Sequence, residues 1–143
     1  MKALVSRSAV VAEAKSWVGV PFRHQGRSRL GVDCVGVVAM VCQGLKISDY
    51  DIRGYDRRPV AAQFLAHFTK GGARRIGVLV AQPGDIMAFR DDEFPCHIGI
   101  LSMLAGRPSL IHSILTRGEV VEDRIEAALL QRRVAAFVLP GVG

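Results

Sequence analysis

Cys34 is preceded by Asp33 and followed by an apolar run, Val35, Val37, Val38, Met40 and Val41. Aspartate is a favoured helix N-cap, because its carboxylate accepts the free N–H groups of the first turn. The pattern predicts a buried helix over residues 33–44, stopped by Gly44, with Cys34 in its first turn. The positive end of the helix dipole favours a thiolate there, so Cys34 is a candidate nucleophile. Asp33 opposes the shift, since a nearby carboxylate disfavours a thiolate, and the expected depression of the thiol pKa is modest. The alternative is a cysteine that merely fills an apolar core.

A thiolate nucleophile needs a base, and the base needs an orienting group. The chain has four histidines. His67 falls in an apolar helical pattern and reads as structural or exposed. His24 lies in a basic, glycine-punctuated loop over residues 22–32. His97 and His112 fall on two predicted strands, residues 97–104 and 109–115, that read as a hairpin. Alternation puts His97, Gly99 and Leu101 on one face of the first strand. It puts Leu110, His112 and Ile114 on one face of the second. Where these faces coincide, both imidazoles project to the same side. One could then meet Cys34 while the other holds it in the right tautomer.

The remaining polar and sulfur groups are weighed in the same way. Arg27 and Arg29 of the basic loop could bind the carboxylates of an acidic ligand, or be solvated surface. Cys96 points away from His97 on its strand and reads as buried filler. Cys42, about two helical turns past Cys34, reads as core. Asp85 is expected to close the turn before its strand. Asp91, Asp92 and Glu93 read as a solvated acidic turn over residues 91–95 rather than as metal ligands. No metal or cofactor is required.

Elements must bring these residues together. Apolar positions at Leu4, Val5, Val10, Val11, Ala14, Trp17 and Val18 predict an amphipathic helix ended by Gly19 and Pro21. Residues 46–58 are polar and read as a surface loop. Pro59 suits the first position of a third helix. Ala62, Phe64, Leu65 and Phe68 line that helix, and Gly71-Gly72 end it. Short strands follow over residues 75–80, 85–90, 97–104, 109–115, 119–122 and 134–139, with turns at 82–84, 91–95 and 106–108 and a helix over 124–131. Helices first and short strands after predict an α+β domain with an antiparallel sheet.

Composition bounds the rest. The 143 residues are expected to form one domain, 1–143, with a full core. Half are hydrophobic and 22% are charged, which excludes a disordered chain. No apolar run approaches a bilayer span. Arg7, Glu13 and Lys15 interrupt the N-terminal stretch, so a chain made in the cytoplasm without a secretory signal is expected. Three cysteines with no CxxC pair and no zinc spacing predict free thiols. The net charge of +6 points to acidic partners. Basic residues are scattered and aromatics are only 6%, which argues against a nucleic-acid site.

The order Asp-Cys at a helix start, then PGDIMAF (83–89), HIGIL (97–101) and IHS (111–113), resembles the NlpC/P60 cysteine peptidases, from about Ala14 to the C-terminus. The loop HQGRSRLGVDCVG resembles the phage-tail members of that family, including those of gene transfer agents. The resemblance implies a papain-like fold and cleavage of peptidoglycan stem peptides, at the γ-D-glutamyl–diaminopimelate bond. It makes Cys34 the nucleophile, His97 the general base and His112 the residue that orients His97. The backbone N–H of Cys34 would serve the oxyanion. Tail or baseplate proteins are the implied partners, and the periplasm of a target cell the implied place of action. His24, Arg27 and Arg29 are the candidate substrate-binding groups. Many relatives carry tyrosine twelve residues before the cysteine and serine just after it, where this chain has Phe22 and Val35. His24 or a water is a candidate replacement for the missing hydroxyl. Two other functions remain open at this point: a structural tail-tip protein with little activity, and a related amidase or transacylase using the same residues.

Overall fold

The computed structural model describes residues 4–49, 51, 61–90 and 96–143. In chain order the elements are α1 (Arg7–Lys15), β1 (Arg27–Ser28), β2 (Gly31–Val32), α2 (Cys34–Gly44), α3 (Ala61–Lys70), β3 (Arg74–Ile76), β4 (Ile86–Phe89), β5 (His97–Leu104), β6 (Arg107–Ile114), β7 (Glu119–Arg124), α4 (Ala127–Leu130) and β8 (Arg133–Val138). β1 and β2 form a small separate hairpin. The other strands form one six-stranded antiparallel sheet in the order β3-β8-β4-β5-β6-β7. Helices packed on an antiparallel sheet are the α+β arrangement expected from the sequence.

Strand alternation gives the sheet two apolar faces. One offers Ile86, Ala88, Ile98, Ile100, Ile111, Val120 and Phe137 to Val10 and Ala14 of α1 and to Val35, Val37 and Val41 of α2. The other carries a smaller cluster, Met87, Phe89, Leu101, Leu110 and Ala136, which Ile125 and Leu129 cover. Every residue of α2 from Val35 to Cys42 is buried. A helix apolar on all sides belongs inside a fold, and this one packs against β5 and β6. Each fully buried aliphatic side chain contributes roughly 1.5–3 kcal/mol over exposure, so burial of α2 fixes where Cys34 sits.

Several boundaries differ from the sequence reading. β3 stops at Ile76, because the chain turns over residues 78–80 and leaves Leu79 82% exposed. The β5–β6 turn is Ala105-Gly106 rather than residues 106–108. Both have positive φ, 51° and 77°, as a two-residue primed turn requires. Arg107 and Pro108 therefore pair within β6, opposite Leu104 and Met103. β7 runs on to Arg124, and the predicted helix over 124–131 shrinks to the single turn of α4, whose N-cap Glu126 makes no side-chain cap bond. The basic loop contains the β1–β2 hairpin. Most of the polar loop after residue 49, Pro59, the side chains of Ala62 and Phe64, and the acidic turn 91–95 lie outside the described residues. Among the described residues, no helix is long and apolar enough to cross a membrane.

Candidate active site

Asp33 organises the loop that leads into α2. Its Oδ1 accepts the N–H of Gly36 at 2.8 Å, which is the expected N-cap bond. Its Oδ2 accepts the N–H of Gln25 at 2.7 Å, and Nη1 of Arg27 donates to Oδ1 at 3.2 Å. His24 Nδ1 lies 3.9 Å from Oδ2. Arg27 reaches further: Nε donates to both oxygens of Asp51 at 3.0 and 2.9 Å, and Nη1 to the carbonyl of Gly26 at 2.9 Å. The loop is thus wound around one carboxylate that is only 3% exposed. Gly36 permits the winding, since a Cβ there would run into the Gly26 carbonyl.

Cys34 is the first residue of α2 and keeps partial exposure, whereas Cys42 and Cys96 are buried in the larger core cluster, as expected. Burial pushes the Cys34 thiol up to about 12, and the charges of Asp33 and Cys96 add to the rise. Backbone hydrogen bonds from Ile98 and Val35 pull it down by less. The expectation of a depressed thiol is therefore corrected. Two N–H groups and a helix start do not outweigh desolvation with a carboxylate on the adjacent residue. The Cys34 thiol is therefore neutral near pH 7. The Ile98 bond sets it at the start of β5, where His97 also sits.

The hairpin brings the two imidazoles together. Nε2 of His97 lies 2.7 Å from Nδ1 of His112, with the rings edge to face. His97 and His112 are 6% and 5% exposed. Burial, and after it the neighbouring His112, lower His97 to about 3. His112 is lowered as well: burial dominates and Arg117 adds to it, while the hydrogen bond and charge of Asp123 pull the other way. Both rings are neutral near pH 7. His97 and His112 fall in the same strand alternation as Leu101 and Leu110, whereas Cys34 packs with the larger cluster. No hydrogen bond joins the Cys34 thiol to His97 among the described residues. Nε2 of His97 is taken, so Nδ1 is the nitrogen left to accept a proton.

The candidate binding groups of the loop are engaged within the chain. Arg27 holds Asp33 and Asp51. Arg29 donates to the Ser16 carbonyl at 2.6 Å and its Oγ at 3.2 Å, and stacks 3.7 Å over the Trp17 ring. Neither is the free carboxylate-binding group that the loop composition suggested. Phe22 bridges to Val32, and its N–H donates to Gly118 at 2.8 Å. Asp85 accepts the N–H of Gln82 at 2.9 Å, closing its turn as expected, and also pairs with Arg7 at 3.0 Å. An apolar cavity lined by Val35, Val38, Cys42, Phe68 and Leu139 includes none of Cys34, His97 and His112.

Sequence reasoning missed two residues. Nε2 of His112 lies 3.0 Å from Oδ2 of Asp123, whose Oδ1 accepts from Nη1 of Arg117 at 3.1 Å. Asp123 fell at the predicted junction of a strand and a helix. Extending the strand through it would have revealed the contact, since β7 pairs Val121 with His112 and Asp123 with Leu110.

A cysteine on a buried helix and histidines on the facing sheet define the papain-like class of α+β folds. Residues 19–138 match the model of the NlpC/P60 family, and the chain belongs to that family. A "Probable endopeptidase" of Mycobacterium bovis is 32% identical over 107 residues, and one of Mycobacterium tuberculosis matches equally. The match takes in 75% of this chain and 23% of each relative, so the chain spans less than a quarter of their length. The NlpC/p60 domain of the peptidoglycan hydrolase SagA superposes with a TM-score of 0.65 at 23% identity, over 94% of this chain and 100% of that one. An N-acetylmuramoyl-L-alanine amidase of Bacteroides uniformis superposes with a TM-score of 0.62 at 14% identity, over 92% and 97%. At these identities the superpositions establish the fold.

Proposed function

We propose that the chain is a cysteine peptidase acting on the stem peptides of peptidoglycan, with Cys34 as nucleophile, His97 as general base and His112 as the group that orients His97. The observation that carries this reading is the buried His97–His112 contact of 2.7 Å at the start of β5, where the Ile98 backbone also meets Cys34. Family membership supports it, as do the endopeptidase and peptidoglycan-hydrolase names of the relatives.

The chemistry follows from the neutral resting groups. As the Cys34 sulfur attacks the scissile carbonyl carbon, its proton passes to Nδ1 of His97. Charge develops on the carbonyl oxygen, and the Cys34 N–H at the helix start would serve it. His97 then returns the proton to the leaving amine as the C–N bond breaks, leaving a thioester on Cys34 that water hydrolyses. The imidazole and thiol must approach during substrate binding, because catalytic hydrogen bonds often tighten only in the complex.

The finer reading rests on the loop resemblance: cleavage at the γ-D-glutamyl–diaminopimelate bond by a component of a phage-like tail, working with other tail or baseplate proteins in the periplasm of a target cell. The state of the thiol and the residue at position 22 favour a second reading, a structural tail protein with little activity. The thiol is neutral and has no hydrogen bond to His97, and Phe22 stands twelve residues before it where many relatives carry tyrosine. Digestion of purified peptidoglycan, with mass analysis of the fragments, separates the two. Stem-peptide fragments cut at one bond support the enzyme and identify the bond. Intact wall after prolonged incubation supports the structural role.

A further inference from the structure

We propose that Asp123 is a positioning residue of this site: held by Arg117, its carboxylate fixes the tautomers of His112 and His97 so that Nδ1 of His97 is left bare to accept the thiol proton. The inference rests on the assignment of Cys34 and His97 above and extends it to residues on β7 and the β6–β7 turn.

The argument is one of donors and acceptors. A carboxylate only accepts, so the 3.0 Å contact with Asp123 requires a proton on Nε2 of His112. A neutral imidazole carries one proton, so Nδ1 of His112 is then an acceptor. The 2.7 Å contact with His97 in turn requires a proton on Nε2 of His97. That leaves Nδ1 of His97 as a lone pair, the form a general base needs. Without Asp123, nothing in this chain of contacts selects that tautomer over its reverse. The carboxylate is one-third exposed, and Arg117 anchors its second oxygen at 3.1 Å. The titratable and charged groups that face His112 are His97 from β5, Asp123 from β7 and Arg117 from the turn between β6 and β7.

The two members of the pair act on His112 with opposite sign. Asp123 favours a protonated ring and Arg117 disfavours it. A pair that served only to tie β7 to its turn would give the same result whichever partner was removed.

The first test is the ¹⁵N spectrum of the imidazoles in the intact, unmutated protein. Protonated Nε2 and bare Nδ1 on both His97 and His112 are expected; a proton on Nδ1 of either ring overturns the proposal. The second test follows the pH profile of stem-peptide hydrolysis. Asp123→Asn should lower kcat about tenfold, the size of one hydrogen bond to a charged group. It should leave KM within about twofold and move the acid limb to lower pH, with Asp123→Glu restoring most of the loss. Arg117→Gln should move the acid limb to higher pH. Limbs that stay put, or that shift in the same direction, overturn the proposal. Hydrolysis that survives Cys34→Ala would instead remove the enzymatic assignment, and the imidazole spectra would still decide the tautomers.

Discussion

Two carboxylate–arginine pairs flank the site and differ in what surrounds them. Asp33 with Arg27 is buried: the carboxylate accepts the N–H of Gln25 in the loop, the N–H of Gly36 in the first turn of α2 and Nη1 of Arg27, and Arg27 is shared with Asp51. Asp123 with Arg117 is partly open to solvent and has one imidazole and one guanidinium as partners. The first pair holds the backbone around the cysteine, and its charge acts against the thiolate. The second joins a guanidinium to the His112 imidazole through a carboxylate, and its charges act on His112. The same two residue types thus build a clamp where they are wrapped in N–H groups and an electrostatic handle where they end a chain of imidazoles.

The largest expected effects fall where the two regions meet. Cys34→Ala and His97→Ala should each lower peptidoglycan hydrolysis by roughly a thousandfold or more, since members of a catalytic unit fail together. His112→Ala should keep more activity than either, and the His97→Ala/His112→Ala double variant should be little worse than His97→Ala. Rates from fragment release rank the variants. A dead His112→Ala beside an active His97→Ala would reverse the two roles.

The clamp should show itself in stability. Asp33→Ala leaves the Gln25 and Gly36 N–H groups and Arg27 without their acceptor, so a loss of roughly 3 kcal/mol is expected in urea unfolding. Arg29→Ala, on a half-exposed side chain, should stay within about 0.5 kcal/mol of wild type. Similar losses for the two would remove the distinction between a buried clamp and surface pairing.

The histidine region should dominate the pH dependence of stability. Unfolded His97 has its ordinary pKa of 6.5 and the folded residue about 3. Between these values the unfolded chain binds more protons, so stability falls as pH drops below about 6.5, by up to roughly 1.4 kcal/mol per unit. Cys34 works at the other end. Its thiol rises from 9.0 to about 12, so the folded form keeps a proton that the unfolded form releases, and stability falls as pH climbs past 9. Urea titrations across pH check both limbs, and His97→Gln should flatten the acid one.

The smallest difference is among the thiols. Cys34, Cys42 and Cys96 are all raised to about 12, so exposure decides labelling. Cys34 should be alkylated first, slowly at neutral pH and with a rate that keeps rising above pH 9. Equal rates at all three would mean that the site is closed to solvent.

Much of this was legible in the sequence because it depends on local rules. The Asp33 cap, the apolar length of α2 and the alternation on β5 and β6 are short-range patterns, and they placed Cys34, His97 and His112. What was not legible depends on what folds over those residues. The helix start at Cys34 suggests a low thiol pKa, but the value depends on how much core packs around the sulfur. Arg27 looked free in a basic loop because its partner Asp51 lies 24 residues away. Asp123 was hidden by a strand end placed two residues too early, and the first of those two residues carries the contact to His112.

The most direct measurement of the central claim is the mass of the Cys34 peptide from protein quenched in acid while digesting peptidoglycan. A stem-peptide fragment should be attached to Cys34 as a thioester, and should be absent from the Cys34→Ala variant, which should also release no fragments. Fragments released at the wild-type rate by Cys34→Ala, with no adduct on the unmutated protein, would contradict the account.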